Sequence, residues 1–390
     1  MIKESIKYSN LLVGLNKELI LGSELKQIIQ QFQVEGEPLG VVPYGDGHIN
    51  DTYLVHCQAL NNHINRYILQ RINHTVFKQP EIVMENMVRV TEHIRKKITA
   101  SGGDPVRKTI TLIPALDGNS YYVSPIGEYW RLCRYIDGAR TYLRAENQQH
   151  YYQAGYAFGE FLTLLSDFQT SQLYETIPDF HHTPKRYQAF IKAVESDRVN
   201  RAQSVKPEID YIVGRESETD ILLGLLECGA MPERVTHNDT KIDNVMIDNQ
   251  TGEGLCVVDL DTVMPGLVVF DFGDAVRSGA NLGAEDEPDP HKVMVSLDIF
   301  NHLAHGFLDA ARGMLTSEEA THLAFGAKLI TLEQGVRFLT DYLNGDIYYK
   351  TQRPNQNLDR TRSQLKLVED MEKKFDKMEA IIEKYWVDEG

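Results

Sequence analysis

Between Val235 and Asp274 the sequence gathers residues whose types and spacing fit phosphoryl transfer from a nucleotide. The stretch reads V-T-H-N-D-T-K-I-D-N-V-M-I-D, then G-L-C-V-V-D-L-D-T-V-M-P-G, then V-F-D-F-G-D-A. His237-Asn238-Asp239 is followed, five residues after Asp239, by Asn244. Beyond an acceptor-rich turn, Asp248 to Gly252, the apolar run Leu255-Cys256-Val257-Val258 delivers Asp259 and Asp261. Such chemistry needs one carboxylate to take the proton of the attacking hydroxyl. It also needs an amide oxygen and a second carboxylate to hold Mg²⁺ on the phosphates. Taken singly, Asp and Asn are ordinary turn and capping residues; the ordered set favours the chemical reading.

The elements that must position these groups are legible on both sides of the stretch. Apolar residues at Leu11, Leu12, Leu15, Leu19 and Ile20, then Leu25, Ile28, Ile29 and Phe32, predict helix from residue 1 to about 35. Val41-Val42 and Tyr53-Leu54-Val55 flank a polar turn with Gly45 and Gly47, a hairpin whose glycine tip would let backbone amides approach phosphates. A third strand is expected at Arg66–Ile72, a helix at about 80–97, and further strands near 108–114 and 120–135. Asp137-Gly138 is a turn pair and marks the expected boundary, with an antiparallel lobe at 1–136 and a mainly helical lobe at 137–390. In the second lobe Ala154, Gly155, Ala157 and Gly159 lie on an amphipathic pattern and predict close helix contact. His181-His182 reads as a capping turn rather than a metal site, since consecutive residues face apart.

Composition bounds the partners. A chain of 390 residues exceeds what one core usually spans. Lys+Arg 40 against Asp+Glu 56 gives a net charge of -16, which opposes nucleic acid and anionic membranes, because neither polyanion gains counterion release there. ATP is not opposed, since metal and a few basic groups meet its charge locally. Cys57, Cys133, Cys228 and Cys256 are dispersed without C-x-x-C, so neither disulfide scaffold nor zinc site is expected. The start is unlike a signal peptide, and no apolar run reaches 18 residues. A monomer in the reducing cytoplasm is the expectation.

The interval from Asp239 to Asn244 is the D-x-x-x-x-N of kinase catalytic loops. With Y-G-D-G-H-I-N, R-Y-I-L-Q, F-H-x-T-P, R-V-T-H-N-D-T-K, D-L-D-T-V-M-P-G, F-D-F-G-D and G-V-R-F-L-T-D-Y-L-N-G-D, the chain resembles the aminoglycoside phosphotransferase family, relatives of the protein kinases. Within it, these blocks are most similar to the N-acetylhexosamine 1-kinase branch. The resemblance implies an α+β, two-lobed protein-kinase-like fold, with an antiparallel-sheet N-lobe and a mainly helical C-lobe. It implies ATP and Mg²⁺ as cofactors, Asp239 as catalytic base, Asn244 and Asp259 as metal ligands, and Arg337 as a sugar contact. Asp261, two residues on and so facing the same way as Asp259 on a strand, is expected to share the metal or to orient the surroundings of Asp239. For Arg337 the competing reading is a salt bridge to Asp341, four residues on along a helix. Gly45, Gly47 and Gln70 are the nucleotide candidates. Gln70 stands where protein kinases carry a strand lysine, leaving Arg66 or Arg71 to supply the missing charge. Kinases of choline, homoserine or aminoglycosides, and a catalytically dead binding module, are the alternative readings.

Overall fold

The computed structural model describes residues 22–45 and 49–386. Gly47 and the helical pattern before residue 22 lie outside the described residues. The chain divides into two compact units: residues 1–92 with 109–137, and 93–108 with 138–390.

The first unit is an antiparallel sheet with strand order β1-β2-β3-β6-β4 and β5 beside β6. Its strands are β1 (Glu37–Pro43), β2 (Asp51–Gln58), β3 (Ile64–Ile72), β4 (Leu112–Ile113), β5 (Tyr122–Val123) and β6 (Tyr129–Arg134). Alternation puts Val41, Val55, Tyr67, Leu69, Trp130 and Leu132 on one face, where they pack with Ile28, Ile29 and Phe32 around helix α1 (Ser23–Ile29). Helix α2 (Pro80–Ala100) follows β3, and its residues from His93 on group with the second unit.

The second unit sets two small sheets among helices. One has the order β10-β9-β7, from β7 (Ala139–Arg140), β9 (Val245–Asp248) and β10 (Gly254–Val257). The other pairs β8 (Arg234–Thr236) with β11 (Met264–Gly266). The main helices are α3 (Gln148–Leu164), α4 (Thr183–Ser196), α5 (Val268–Gly279), α6 (Leu297–Ala311), α7 (Leu323–Asn344) and α8 (Gln356–Trp386). The small-residue stripe on α3 meets α6 backbone to backbone. A Cβ on Gly155 would lie 2.3 Å from the Leu303 carbonyl oxygen, and one on Gly306 would lie 1.9 Å from that of Tyr152.

Candidate active site

Two strand pairings deliver the site residues. β8 pairs Thr236 with Met264, so the chain leaves the sheet directly into His237-Asn238-Asp239. β9 and β10 pair Val245 with Val257, and the Val258 N–H continues the ladder onto the Asn244 carbonyl at 2.9 Å. Asn244 and Asp259 therefore emerge side by side from adjacent chains. The turn between these strands is locked by Asp248, whose carboxylate accepts the N–H groups of Gln250 at 2.7 Å and Thr251 at 3.0 Å. Those bonds and Arg107 hold its pKa down to about 2.

The loop carrying Asp239 is held by buried polar groups. The carboxylate of Asp271 on α5 accepts the N–H of His237 at 2.8 Å and of Asn238 at 2.7 Å. The Asn238 amide donates to the Thr262 carbonyl at 2.9 Å, and Thr262 Oγ1 donates to the His237 carbonyl at 2.7 Å. His237 is fully buried. Its Nδ1 accepts the Asp239 N–H at 3.2 Å, which leaves Nε2 to donate to the Val258 carbonyl at 2.9 Å. Asn238 takes φ +64°, a left-handed conformation that asparagine tolerates better than most residues.

Asp239 faces Lys241, with Nζ 2.9 Å from Oδ1. The Asn244 amide donates to the Asp239 carbonyl at 2.8 Å and approaches its Oδ2 at 3.4 Å. Burial opposes ionisation of Asp239, but Lys241 more than offsets it and holds the carboxyl below its ordinary range. Reciprocally, Asp239 pushes the Lys241 ammonium up, against burial. Asp271 is raised to about 6, because burial outweighs the nearby His237 and the two N–H donors.

Asp259 and Asp261 do not share a strand face, as their spacing suggested. β10 ends at Val257, Asp259 is left-handed at φ +58°, and Leu260–Thr262 is a 3₁₀ turn, so strand parity does not apply. Asp259 is exposed and Asp261 is buried at 2%.

Arg337 on α7 is not bridged to Asp341. The Asp341 carboxylate instead accepts the backbone N–H groups of Ile347, Tyr348 and Tyr349 at 2.8 to 3.0 Å, closing the loop after the helix. Arg337 lies over the Phe180 ring at 5.0 Å and the Tyr349 ring at 5.9 Å, and donates to Gln334 at 3.0 Å. No described carboxylate is in salt-bridge contact with it. Arg186 donates to the Phe180 carbonyl from Nε at 3.2 Å and Nη2 at 3.0 Å. Its pKa is lowered by burial and by Arg337.

In the first unit, Gln70 on β3 lies opposite Arg131 on β6 and accepts from its Nε at 2.8 Å. Its amide nitrogen donates to Thr52 at 3.1 Å. Arg131, buried at 1%, is thus the cation beside the glutamine. Arg66 is paired with Asp137, and Arg71 with Asp51 and Glu128. Gly45 is left-handed at φ +76°, with open space around the position of a Cβ.

Sequence reasoning missed Lys241, Asp271, His181, Glu333 and Arg186. Asp271 carried a signal, since a carboxylate inside the apolar helical run V-V-F-D-F must find buried donors. His182 caps α4, accepting the Lys185 N–H at 3.4 Å, whereas His181 turns to Glu333 and the catalytic loop.

The family model described as the phosphotransferase enzyme family, APH, matches residues 40–292, and the chain belongs to that family. An aminoglycoside phosphotransferase from Alicyclobacillus acidocaldarius superposes with a TM-score of 0.60 at 12% identity, covering 94% of this chain and 97% of that one. An amicoumacin kinase in complex with AMP-PNP and Ca²⁺ gives 0.56 at 12% identity over 91% and 94% of the two chains. A microcompartment-associated aminopropanol kinase gives 0.54 at 12% identity over 91% and 98%. The fold is that of the kinase-like aminoglycoside phosphotransferases, with an antiparallel sheet in the N-terminal unit and a mainly helical second unit.

Proposed function

We propose that this phosphotransferase moves the γ-phosphoryl group of ATP to the anomeric hydroxyl of N-acetylhexosamines, N-acetylglucosamine or N-acetylgalactosamine, giving the 1-phosphate. Asp239 receives the hydroxyl proton as the sugar oxygen bonds to the γ-phosphorus and the bond to the bridging oxygen breaks, leaving ADP. Lys241 keeps Asp239 ionised and ready to accept. An anomeric hydroxyl is the most acidic on the ring, so one positioned carboxylate is enough to direct its attack.

The donor set fits Mg²⁺. The Asn244 amide is turned by its nitrogen onto Asp239, which leaves its oxygen for a cation, and the Asp259 carboxylate is exposed beside it. Asn244 and Asp259 would hold the ion on the nucleotide phosphates, where it offsets the charge of the transferring group. Asp261, being buried, supports the turn rather than ligating directly. Among the described residues no group of three or more His, Cys, Asp or Glu could hold an ion unaided. That suits a cation that takes most of its ligands from phosphate and water.

The observation that carries the acceptor assignment is Arg337, a guanidinium stacked on Phe180 and Tyr349 and unpaired by any described carboxylate. Such a wall suits a neutral, acceptor-rich sugar, whose acetamide or hydroxyl oxygens can accept from the guanidinium while its ring packs on the aromatic faces. The test is phosphorus NMR of the product from N-acetylglucosamine and MgATP. A 1-phosphate supports the reading. A 6-phosphate, or turnover confined to amino alcohols, overturns it.

A further inference from the structure

Glu333 is a carboxylate in the middle of α7 with no exposed surface, in a region where an unpaired charge would be costly. Its two oxygens are taken by His181 Nδ1 at 2.9 Å and Thr183 Oγ1 at 2.6 Å. The other ring nitrogen of His181, Nε2, lies 3.2 Å from the Asn238 carbonyl oxygen. Phe180 and Phe270 pack against the imidazole, with ring centroids at 4.5 and 5.5 Å. The Asn238 carbonyl belongs to the same peptide group as the Asp239 N–H, which His237 Nδ1 accepts. With both of its ring nitrogens facing acceptors, His181 makes the two contacts together as the imidazolium, donating from each. The peptide plane leading into Asp239 is therefore held at its oxygen by His181 and at its nitrogen by His237. His237 is oriented by the Val258 carbonyl and His181 by Glu333. A change in ψ of Asn238 or φ of Asp239 that the other does not compensate would carry the Asp239 Cβ, and with it the carboxylate, away from Lys241. Holding this plane at both ends opposes that change.

We propose that Glu333 and His181 form a positioning relay, holding the Asn238–Asp239 peptide so that the Asp239 carboxylate is aimed at the acceptor hydroxyl. The relay also ties the base to the helix that carries Arg337, one turn beyond Glu333, so that one element sets both acceptor contact and base. It rests on the reading of Asp239 as the base. His181 touches no reacting atom and acts only through Asn238. A histidine with both ring nitrogens committed and a fully buried carboxylate behind it is more than packing requires. An apolar ring would fill the space between Phe180 and Phe270 without the buried charge.

The test is the crystal structure of His181→Phe together with turnover on MgATP and N-acetylglucosamine. Phenylalanine keeps the ring packing and removes both polar contacts. The relay requires the Asn238–Asp239 peptide to rotate, Asp239 to leave Lys241, and kcat to fall 10- to 100-fold, with KM for ATP within twofold of wild type. His181→Gln, whose amide can reach the Asn238 carbonyl, should recover at least a third of the lost rate on a logarithmic scale. An unmoved peptide, a folded H181F with kcat within twofold of wild type, or a fall in kcat matched by a rise in KM for ATP overturns the relay. If H181F does not fold, Glu333→Gln decides, read beside Thr183→Val, since Gln keeps the shape but alters the partner of both His181 and Thr183. Thr183→Val removes the second contact alone and should leave kcat within twofold of wild type. A kcat loss of at least threefold supports the relay, and an unchanged kcat overturns it. If the wild type leaves N-acetylglucosamine untouched, the sugar reading fails while the peptide geometry still decides the relay. If Asp239→Asn turns over normally, the base reading itself has failed.

Discussion

Asp239 and Lys241 form a pair in which each group makes the other functional. The lysine holds the Asp239 carboxyl below its ordinary range, as the proposed role of base requires, and Asp239 in turn pushes the lysine up. Asp239→Asn should retain fold and nucleotide binding while kcat drops by about 10²- to 10⁴-fold, measured by coupled ADP release. Lys241→Met should cost about 1.5–3 kcal/mol in kcat/KM, the worth of one charge-assisted contact. Asp239 is held low, whereas burial raises Asp271 to about 6. Protonating it removes an acceptor from the N–H groups of His237 and Asn238, so activity should fall as pH drops through about 6. His237 and His181 are the titratable groups that face it. A pH profile of Asp271→Asn should be lower throughout and lack that acid limb. Retention of the limb would assign it elsewhere. Arg337→Ala should raise KM for the sugar about 10- to 100-fold, the loss of one charge-assisted bond, with KM for ATP unchanged.

At the scale of elements, the site depends on how closely two helices approach. Gly155 on α3 and Gly306 on α6 let the backbones meet where no side chain fits. α3 also backs the catalytic loop, with Phe158 and Phe161 edge-on to His237 at 5.8 and 5.9 Å. Gly306→Ala should destabilise the protein by about 1–3 kcal/mol, or more if the helices cannot part, since the clash is with backbone rather than a flexible side chain. Thermal melting reads this directly, and the loss should exceed that from Gly313→Ala, where a Cβ would meet open space.

For the whole molecule, nucleotide and metal should stabilise the native state by mass action. MgATP at about 100 times its Kd should add about 2.7 kcal/mol. Asp259→Asn should lose the Mg²⁺-dependent part of that gain while keeping its own melting point nearly unchanged, because asparagine keeps the shape and tolerates the left-handed backbone at φ +58°. Asp261→Asn should instead lower the melting point of the ligand-free protein, as expected for a buried side chain. The reverse pattern would exchange their roles. The net charge of -16 places no bar on this binding, as the basic groups that matter are local.

Sequence alone determined what depends on short range. The alternation of β1 to β3 and the Asp248 turn lie within consecutive hairpins, and Asp239, Asn244 and Asp259 follow one another in one short stretch, where chain geometry fixes neighbours. The small residues of α3 likewise announced a close helix contact, though not its partner. Tertiary structure decided the rest, because the partners are far apart along the chain. Glu333 reaches His181 across 152 residues, and no local pattern encodes that. Asp341 shows the competition most plainly. Helical spacing offered it Arg337, but the chain reverses at Gly345, with φ +100°, and presents three N–H groups that need an acceptor. Three N–H donors on one carboxylate outweigh a single i,i+4 ion pair, so Asp341 closes the loop and Arg337 lies instead against Phe180 and Tyr349. Asp259 left its expected strand because the ladder ends once the Val258 N–H has met Asn244, and the left-handed backbone of Asp259, at φ +58°, takes the chain into the turn Leu260–Thr262.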